Sequence, residues 1–408
     1  MTLFNGVISI TGITFLMFCV FAIAAAGYLL GRITIKGVSL GTAGVFIVSL
    51  VFGCLFYDNL EVQLPSYTKN ALKIIENVGL ILFVTSVGFI AGPKFFGNMK
   101  RNFTSYVLLG LVIIVTGGIA AVLCILFARA TTNVDHEYLT AMVTGLLSGA
   151  LTSTPAFSAA KATVGEAYED VVTAGNGIAY IFGVIGVVLF VQLIPKITRA
   201  NMAEERAKLV SVKGGESTKT ERTLIQMDSF GFMPFMLAAI AGIFVGMIKI
   251  PLSGDGLSGT TFSLTTTGGC LLIALIFGHF GRVGSVSIMP KDTTLKVFRE
   301  FGLMLFLIGA GVSGGANFIK NLEVIYFFYG VFMTLFPMVM GYLFARYILK
   351  LSLLNSLGSI TGGMTSTPAL GTLINVAKTE DVASAYAATY PIALIAVVLV
   401  SQFLMILF

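Results

Sequence analysis

Twelve long stretches of the 408-residue chain contain no Lys, Arg, Asp or Glu, and this spacing of charge limits the fold more than any other feature. They cover 1–31, 37–57, 77–93, 102–128, 138–160, 171–195, 229–248, 256–281, 301–319, 324–345, 351–377 and 382–408. A helix crosses the hydrocarbon core of a bilayer with about 20 apolar residues. Each stretch is near or above that length. A soluble core of this size would instead show short alternating or amphipathic runs. The expected fold class is therefore an all-α polytopic membrane protein.

Composition supports this. Charged residues make up 11% of the chain and apolar residues 56%, where a soluble domain carries about 25% charged residues. Such a chain is not a disordered protein, a nucleic-acid binder or an ordinary soluble enzyme. The net charge of +6 reads as topology marking, not as a nucleic-acid footprint. The first basic residue is Arg32, so the first stretch lacks the charged start of a signal peptide and reads as a retained helix. Cys19, Cys54, Cys124 and Cys270 all lie in apolar stretches and read as small buried hydrophobes.

The chain is written twice. Gly-Tyr-Leu-Leu-Gly-Arg-Ile-Thr-Ile (27–35) matches Gly-Ile-Phe-Val-Gly-Met-Ile-Lys-Ile (242–250). Leu72-Lys73 followed by Gly-Leu-Ile-Leu-Phe (79–83) matches Leu295-Lys296 followed by Gly-Leu-Met-Leu-Phe (302–306). Gly88, Gly92 and Phe95 match Gly311, Gly315 and Phe318 in the same register. Ser-Gly-Ala-Leu-Thr-Ser-Thr-Pro-Ala (148–156) matches Thr-Gly-Gly-Met-Thr-Ser-Thr-Pro-Ala (361–369). Glu169-Asp170-Val171 matches Glu380-Asp381-Val382, and Tyr180 matches Tyr390. The expected organisation is a first membrane repeat over 1–195, a charged cytoplasmic linker over 196–230 and a second membrane repeat over 231–408.

Internal repeats are the usual build of secondary transporters, with the cargo site near the midplane between them. The positive-inside rule bears on their orientation. If the fifth segment of each half (138–160 and 351–377) enters and leaves on one side, each half crosses five times. The basic residues then divide nineteen to six, with the linker inside and both termini outside. An odd number of crossings makes the repeats inverted. A fifth segment that crosses as a broken helix is the alternative.

The fifth segments carry the chemistry. Thr152-Ser153-Thr154-Pro155 and Thr365-Ser366-Thr367-Pro368 sit mid-segment, with Gly149 before the first and Gly362 and Gly363 before the second. Proline removes a backbone donor, glycine lets the backbone unwind, and Ser or Thr caps the helix that follows. Each motif reads as a helix break at membrane depth, tolerated only when buried in protein or lining a wet cavity. The half-helix that begins there offers free amides and a positive dipole end to a carboxylate. The plainer alternative is a proline kink packed by small residues.

Secondary candidates are Asn176, Tyr180 and Tyr390 on the sixth segments, and Lys161, which stands as either a cation for an anionic cargo or a snorkelling lysine. Asn375 is a weaker one. Glu169/Asp170 and Glu380/Asp381 read as acids at helix starts. Gly27/Gly31, Gly242/Gly246, Gly88/Gly92 and Gly311/Gly315 read as close-packing positions. His136 and His279 stand apart from any cysteine cluster, so no metal or other cofactor is expected. No Asp or Glu is expected in the middle of a hydrophobic segment, where a proton or sodium exchanger usually carries one. No phosphate-binding Gly-x-x-x-x-Gly-Lys-Ser/Thr loop, potassium filter or catalytic triad is present, and no enzyme activity is expected.

With Gly-Arg-Ile-x-Ile-x-Gly-x-Ser-Leu-Gly (31–41), the Gly-Leu-Ile-Leu-Phe block and the doubled Thr-Ser-Thr-Pro, the chain resembles the aspartate:alanine exchanger family. The resemblance covers essentially all hydrophobic segments. It implies a bacterial inner-membrane carrier of small carboxylates such as aspartate, alanine or succinate. It also implies kinship with cation/proton antiporter and anion transporter folds, many of them elevator-type homodimers. Many members carry a long soluble regulatory region between the halves. Here only about 35 residues stand there, too few for a domain.

Overall fold

The computed structural model describes residues 2–3, 8–35, 38–39, 42–97, 103–209, 225–251 and 261–408. Lys36, Gly37, Leu40, Gly41, Lys100, Arg101 and the linker stretch 210–224 lie outside the described residues. The described residues are mostly helical, and their β structure is confined to two-residue strands in antiparallel pairs, one of which takes Ile225–Gln226 as a third, parallel strand. The first half builds α1 (Gly12–Gly31), α2 (Ala43–Gln63), α3 (Thr68–Gly97), α4 (Phe103–Thr131), α5 (His136–Ala150), α6 (Thr154–Thr163) and α7 (Glu169–Ile197). A short linker helix, α8 (Met202–Ala207), follows. The second half builds α9 (Phe232–Gly246), α10 (Thr265–Phe280), α11 (Asp292–Phe318), α12 (Val324–Leu343), α13 (Leu353–Gly363), α14 (Thr367–Ala377) and α15 (Ala383–Leu407). Seven helices among the described residues are long and apolar enough to cross a membrane: α1 to α4, α7, α12 and α15. Two shorter apolar helices, α9 and α10, join them.

Helix contacts divide the molecule into two bundles. One gathers α1, α2 and α3 with α9, α10 and α11; the other gathers α4 to α7 with α12 to α15. Glycine makes the first bundle possible. At the crossing of α3 and α11, a Cβ on Gly302 would stand 2.6 Å from the Phe83 nitrogen and 2.7 Å from the Gly79 oxygen. A Cβ on Gly79 would meet the Gly302 oxygen and the Phe306 nitrogen in turn. The two backbones touch, reciprocally. Gly27 and Gly242 seat against Val45 and Cys270, and Gly92 and Gly315 against backbone of α10 and α2. All four cysteines are free, three of them buried and Cys54 half-buried.

The fifth segments are hairpins. α5 and α7 start together, because the Tyr168 hydroxyl donates to Asp135 Oδ2 at 3.0 Å. They run side by side up to Gly149 and Gly183. α6 therefore returns to the face from which α5 entered. The second hairpin opens at the other end of the molecule. α7 leads over 29 residues, about 43 Å at 1.5 Å per residue, to the linker helix α8. There Glu205 Oε2 accepts the Leu353 amide at 2.7 Å and Arg206 donates to the Ala377 carbonyl at 3.1 Å. Those are the first residue of α13 and the last of α14, so one short helix grips both feet of the second hairpin.

This grip titrates. Burial of Glu205 would raise its pKa, but the Lys208 ammonium at 2.8 Å and the Leu353 amide outweigh that and hold the carboxyl below its ordinary value. A carboxyl with a lowered folded pKa contributes its stability above the unfolded value, about 4.3, and loses it as pH falls through the folded one. Hydrogen exchange at the Leu353 amide is expected to stay protected from pH 7 to about 5 and to lose protection below about pH 4. Glu205→Gln should flatten that dependence. Unchanged protection in the native chain down to pH 3 would show that the carboxylate does not hold the helix.

Candidate functional site

The two hairpin tips meet in the middle of the second bundle. The tip of the first lies against Gly183, half-way along α7, and the Ala150 carbonyl accepts from Thr334 of α12 at 3.3 Å. The tip of the second lies against Ile113 of α4. The tips are joined by a reciprocal pair of hydrogen bonds. Thr152 Oγ1 donates to the Met364 carbonyl at 3.0 Å, and Thr365 Oγ1 donates to the Leu151 carbonyl at 3.0 Å.

Each entering helix ends in the same way. Ser153 N donates to the Ser148 carbonyl at 2.8 Å and Thr152 N to Gly149 at 2.9 Å; Ser366 and Thr365 repeat the pattern onto Thr361 and Gly362 at 3.0 and 3.1 Å. This is a Schellman closure, whose left-handed residue is usually glycine. Here it is threonine, with φ of 52° at Thr152 and 51° at Thr365. A β-branched residue in that region is strained, at a cost of about 1–3 kcal/mol. The cross-tip bond offsets that cost.

This corrects the sequence reading of the glycines. Gly149, Gly362 and Gly363 are not where the backbone unwinds. They remain helical, and a Cβ on Gly149 would strike the Asn176 carbonyl, one on Gly362 the Tyr386 carbonyl at 2.7 Å, and one on Gly363 the Ile113 side chain at 2.5 Å. They let the entering helix lie close on its neighbours; the threonines make the break.

The returning helices begin at the motif. Ser153 is the N-cap of α6 and accepts from the Ala156 amide at 3.3 Å, with Pro155 in the first turn. Thr154 stands in that turn, half-buried. Ser366 takes the same place before α14, whose first turn holds Thr367 and Pro368, but its side chain makes no cap bond. The Ser366 hydroxyl is fully buried and has no protein partner. An orphaned hydroxyl beside the first-turn amides of a helix can donate to a ligand's oxygen.

Other residues sort around the tips. Asn176 is buried, and its Oδ1 accepts from Ser148 Oγ at 3.0 Å. Tyr180 packs its ring edgewise on Phe46, with centroids 6.2 Å apart. Tyr390 stacks on Tyr386 at 5.1 Å. Asn375 is exposed, far along α14 from the tip. Glu169 opens α7 and pairs with Lys73 at 2.8 Å. Glu380 and Asp381 lie in a 3-10 turn before α15. Among the described residues no His, Cys, Asp and Glu gather in threes to hold a metal.

Two expectations about charge are overturned. Lys161 does not snorkel: it is 6% exposed and its Nζ lies 2.7 Å from Glu76 Oε1. Nor are the membrane helices free of buried acids, because Glu76 sits on the third turn of α3. The charge-free stretch starts at 77, so Glu76 read as its border. The helix actually begins at Thr68 and carries the carboxylate inward. The signal was the spacing of Lys73 and Glu76, one helical turn apart inside a run that continues to Gly97.

The family comparison agrees with this architecture. The model of the family described as Predicted Permease Membrane Region, of the aspartate–alanine exchangers, matches residues 19–196 and 234–406. An uncharacterized transporter of Bacteroides thetaiotaomicron is 25% identical over 94% of this chain and 97% of its own length. One from Desulfotalea psychrophila is 24% identical over 95% and 96%. The alignment with the Bacteroides relative runs over 542 positions, so that relative carries further residues within the aligned span. With both membrane halves matched, the chain is a multi-pass membrane transporter and belongs to the aspartate:alanine exchanger family.

Proposed function

We propose that the chain is a secondary carrier that exchanges or exports small carboxylates, aspartate- or alanine-like amino acids or four-carbon dicarboxylates, by alternating access. The observation that carries this reading is the meeting of two hairpin tips, each ending in the N-terminus of a returning helix, with the orphaned Ser366 hydroxyl at the start of the second. Two helix N-termini and their hydroxyls bind a carboxylate without a metal. The binding groups are those of Thr152–Pro155 and Thr365–Pro368, with Gly149, Gly362 and Gly363 holding the helices close. Asn176, Tyr180, Tyr390 and Lys161 form the surrounding shell.

The halves, 1–195 and 231–408, act as inverted repeats, and the linker between them is cytoplasmic in a bacterial inner membrane, with both termini on the other side. Hairpins entering from opposite ends of α7 support the inversion. The division into two bundles supports an elevator-type movement, in which the bundle of α4–α7 and α12–α15 carries the cargo against the other. A homodimer built on that second bundle's partner is part of the same reading. The buried Glu76 favours one rival, a cation/proton antiporter, because such carriers hold an acid at membrane depth.

Counterflow in proteoliposomes separates them. Liposomes preloaded with unlabelled aspartate, alanine, succinate, malate or glutamate are expected to take up the matching labelled compound, with no sodium or proton gradient. Thr154→Val with Thr367→Val should abolish that uptake. A pH or sodium flux without carboxylate uptake would establish the antiporter instead, and full uptake in the double variant would remove the motif from the site.

A further inference from the structure

The described residues bury both partners of one ion pair only, Glu76 with Lys161. The pair joins α3 of the first bundle to α6 of the second, and one turn earlier on α6 the Ser158 hydroxyl meets the Thr267 hydroxyl of α10 at 3.0 Å. Lys161 lies over the Phe157 ring at 5.8 Å, and Phe157 is the next turn down from the tip. From Thr154 to Lys161 the helix rises about 10 Å. At the hairpin's mouth Lys73 pairs with Glu169 at 2.8 Å and stands 3.9 Å from Glu166. Glu205, the other buried charge, sits on the linker face. Lys161 is therefore the one buried cation among the described residues, and Glu76 cancels its charge.

Packing does not ask for this pair. Apolar residues of the same volume hold two helices together at least as well. Nor does the repeat ask for it. The residue matching Lys161 in the second hairpin is Ile374, and the one matching Glu76 is Arg299, which pairs with Glu300 at 2.6 Å on a half-exposed face. A cation at 10 Å favours a more anionic cargo; a carboxylate on top of it removes that preference.

We propose that Glu76 is a specificity-determining residue that neutralises Lys161 and so sets the site for cargo of low net negative charge. This rests on the carboxylate-carrier reading above. The test is competition: inhibition of labelled aspartate counterflow by alanine, aspartate and succinate, which carry zero, one and two net negative charges. It uses the reconstituted full chain and its Glu76→Gln, Lys161→Gln and Glu76→Gln/Lys161→Gln variants. Glu76→Gln is expected to raise succinate over alanine by about tenfold per unit of cargo charge. That is about 1.4 kcal/mol each, the effect of a unit charge at roughly 10–12 Å and an effective dielectric of about 20. Lys161→Gln should move the preference the other way, and the neutral pair should keep the native order. Should Glu76→Gln not accumulate, the neutral pair and the swap Glu76→Lys/Lys161→Glu carry the test, since both keep zero net charge and the native order.

A flat preference across all variants, with rates falling equally for every cargo, would reduce the pair to packing and overturn the proposal. A shifted order in the neutral pair or the swap would overturn it too. A native chain that exchanges none of these acids would remove the carrier reading itself, and this proposal with it.

Discussion

Gly302→Leu is expected to leave almost no folded protein in the membrane, and Gly79→Leu the same. The crossing of α3 and α11 has no room for a side chain on either helix. A Cβ at 302 would stand 2.6 Å from the Phe83 nitrogen, and nitrogen and oxygen of a helix backbone cannot move aside as a flexible side chain can. Overpacking a core with side chains around it costs about 1–3 kcal/mol, and occasionally more; against backbone on both sides the cost should lie at or above the top of that range. Membrane helices also gain little from apolar burial against one another, so close backbone approach is a main source of their association. Separating α3 and α11 forfeits it. Detergent-solubilised protein should show the order native, then Gly302→Ala, then Gly302→Leu in both yield and melting temperature, with the leucine variant eluting as aggregate. A monodisperse Gly302→Leu chain melting at the native temperature would refute the backbone contact.

That crossing also shows what the sequence could and could not carry. The repeated Gly-Leu-x-Leu-Phe block marked positions 79 and 302 as equivalent, and small residues at helical spacing announced close packing. Equivalence alone cannot reveal that the two glycines meet each other, because a contact across 223 positions leaves no local pattern. The helix breaks were legible for a similar reason: proline after Ser and Thr is a local signal with a local cause. Which residue turns the backbone was not. A threonine in the left-handed region contradicts its own propensity, and only the partner across the tip makes it tolerable. Glu76 was missed through the boundary. Charge-free windows end at the last charge, whereas a helix ends where its backbone bonds end, and α3 starts eight residues before its first acid.

Removing both cross-tip donors, as Thr152→Val with Thr365→Val, should lower the maximal exchange rate by about 100-fold or more while the protein stays folded. Valine keeps the volume and the branching of threonine. It also keeps the strain of the left-handed backbone, and it leaves the buried Met364 and Leu151 carbonyls without their donors. Each lost bond to a buried group costs about 1–3 kcal/mol, and about 1.4 kcal/mol is a factor of ten. The tips then have every reason to open, and opening misaims the first-turn amides of α6 and α14 that hold the carboxylate. The two bonds close one contact, so their effects should not add: either single valine variant should show most of the loss. Glycine separates the two causes. Thr152→Gly relieves the strained φ of 52° but also loses the hydroxyl, so it should exchange faster than Thr152→Val and slower than the native chain. Counterflow at matched protein density in liposomes reads all of these. A double valine variant that exchanges at the native rate would mean that the tips need not touch for cargo to be carried. A glycine variant no better than valine would mean that the bond, not the backbone strain, governs the tip.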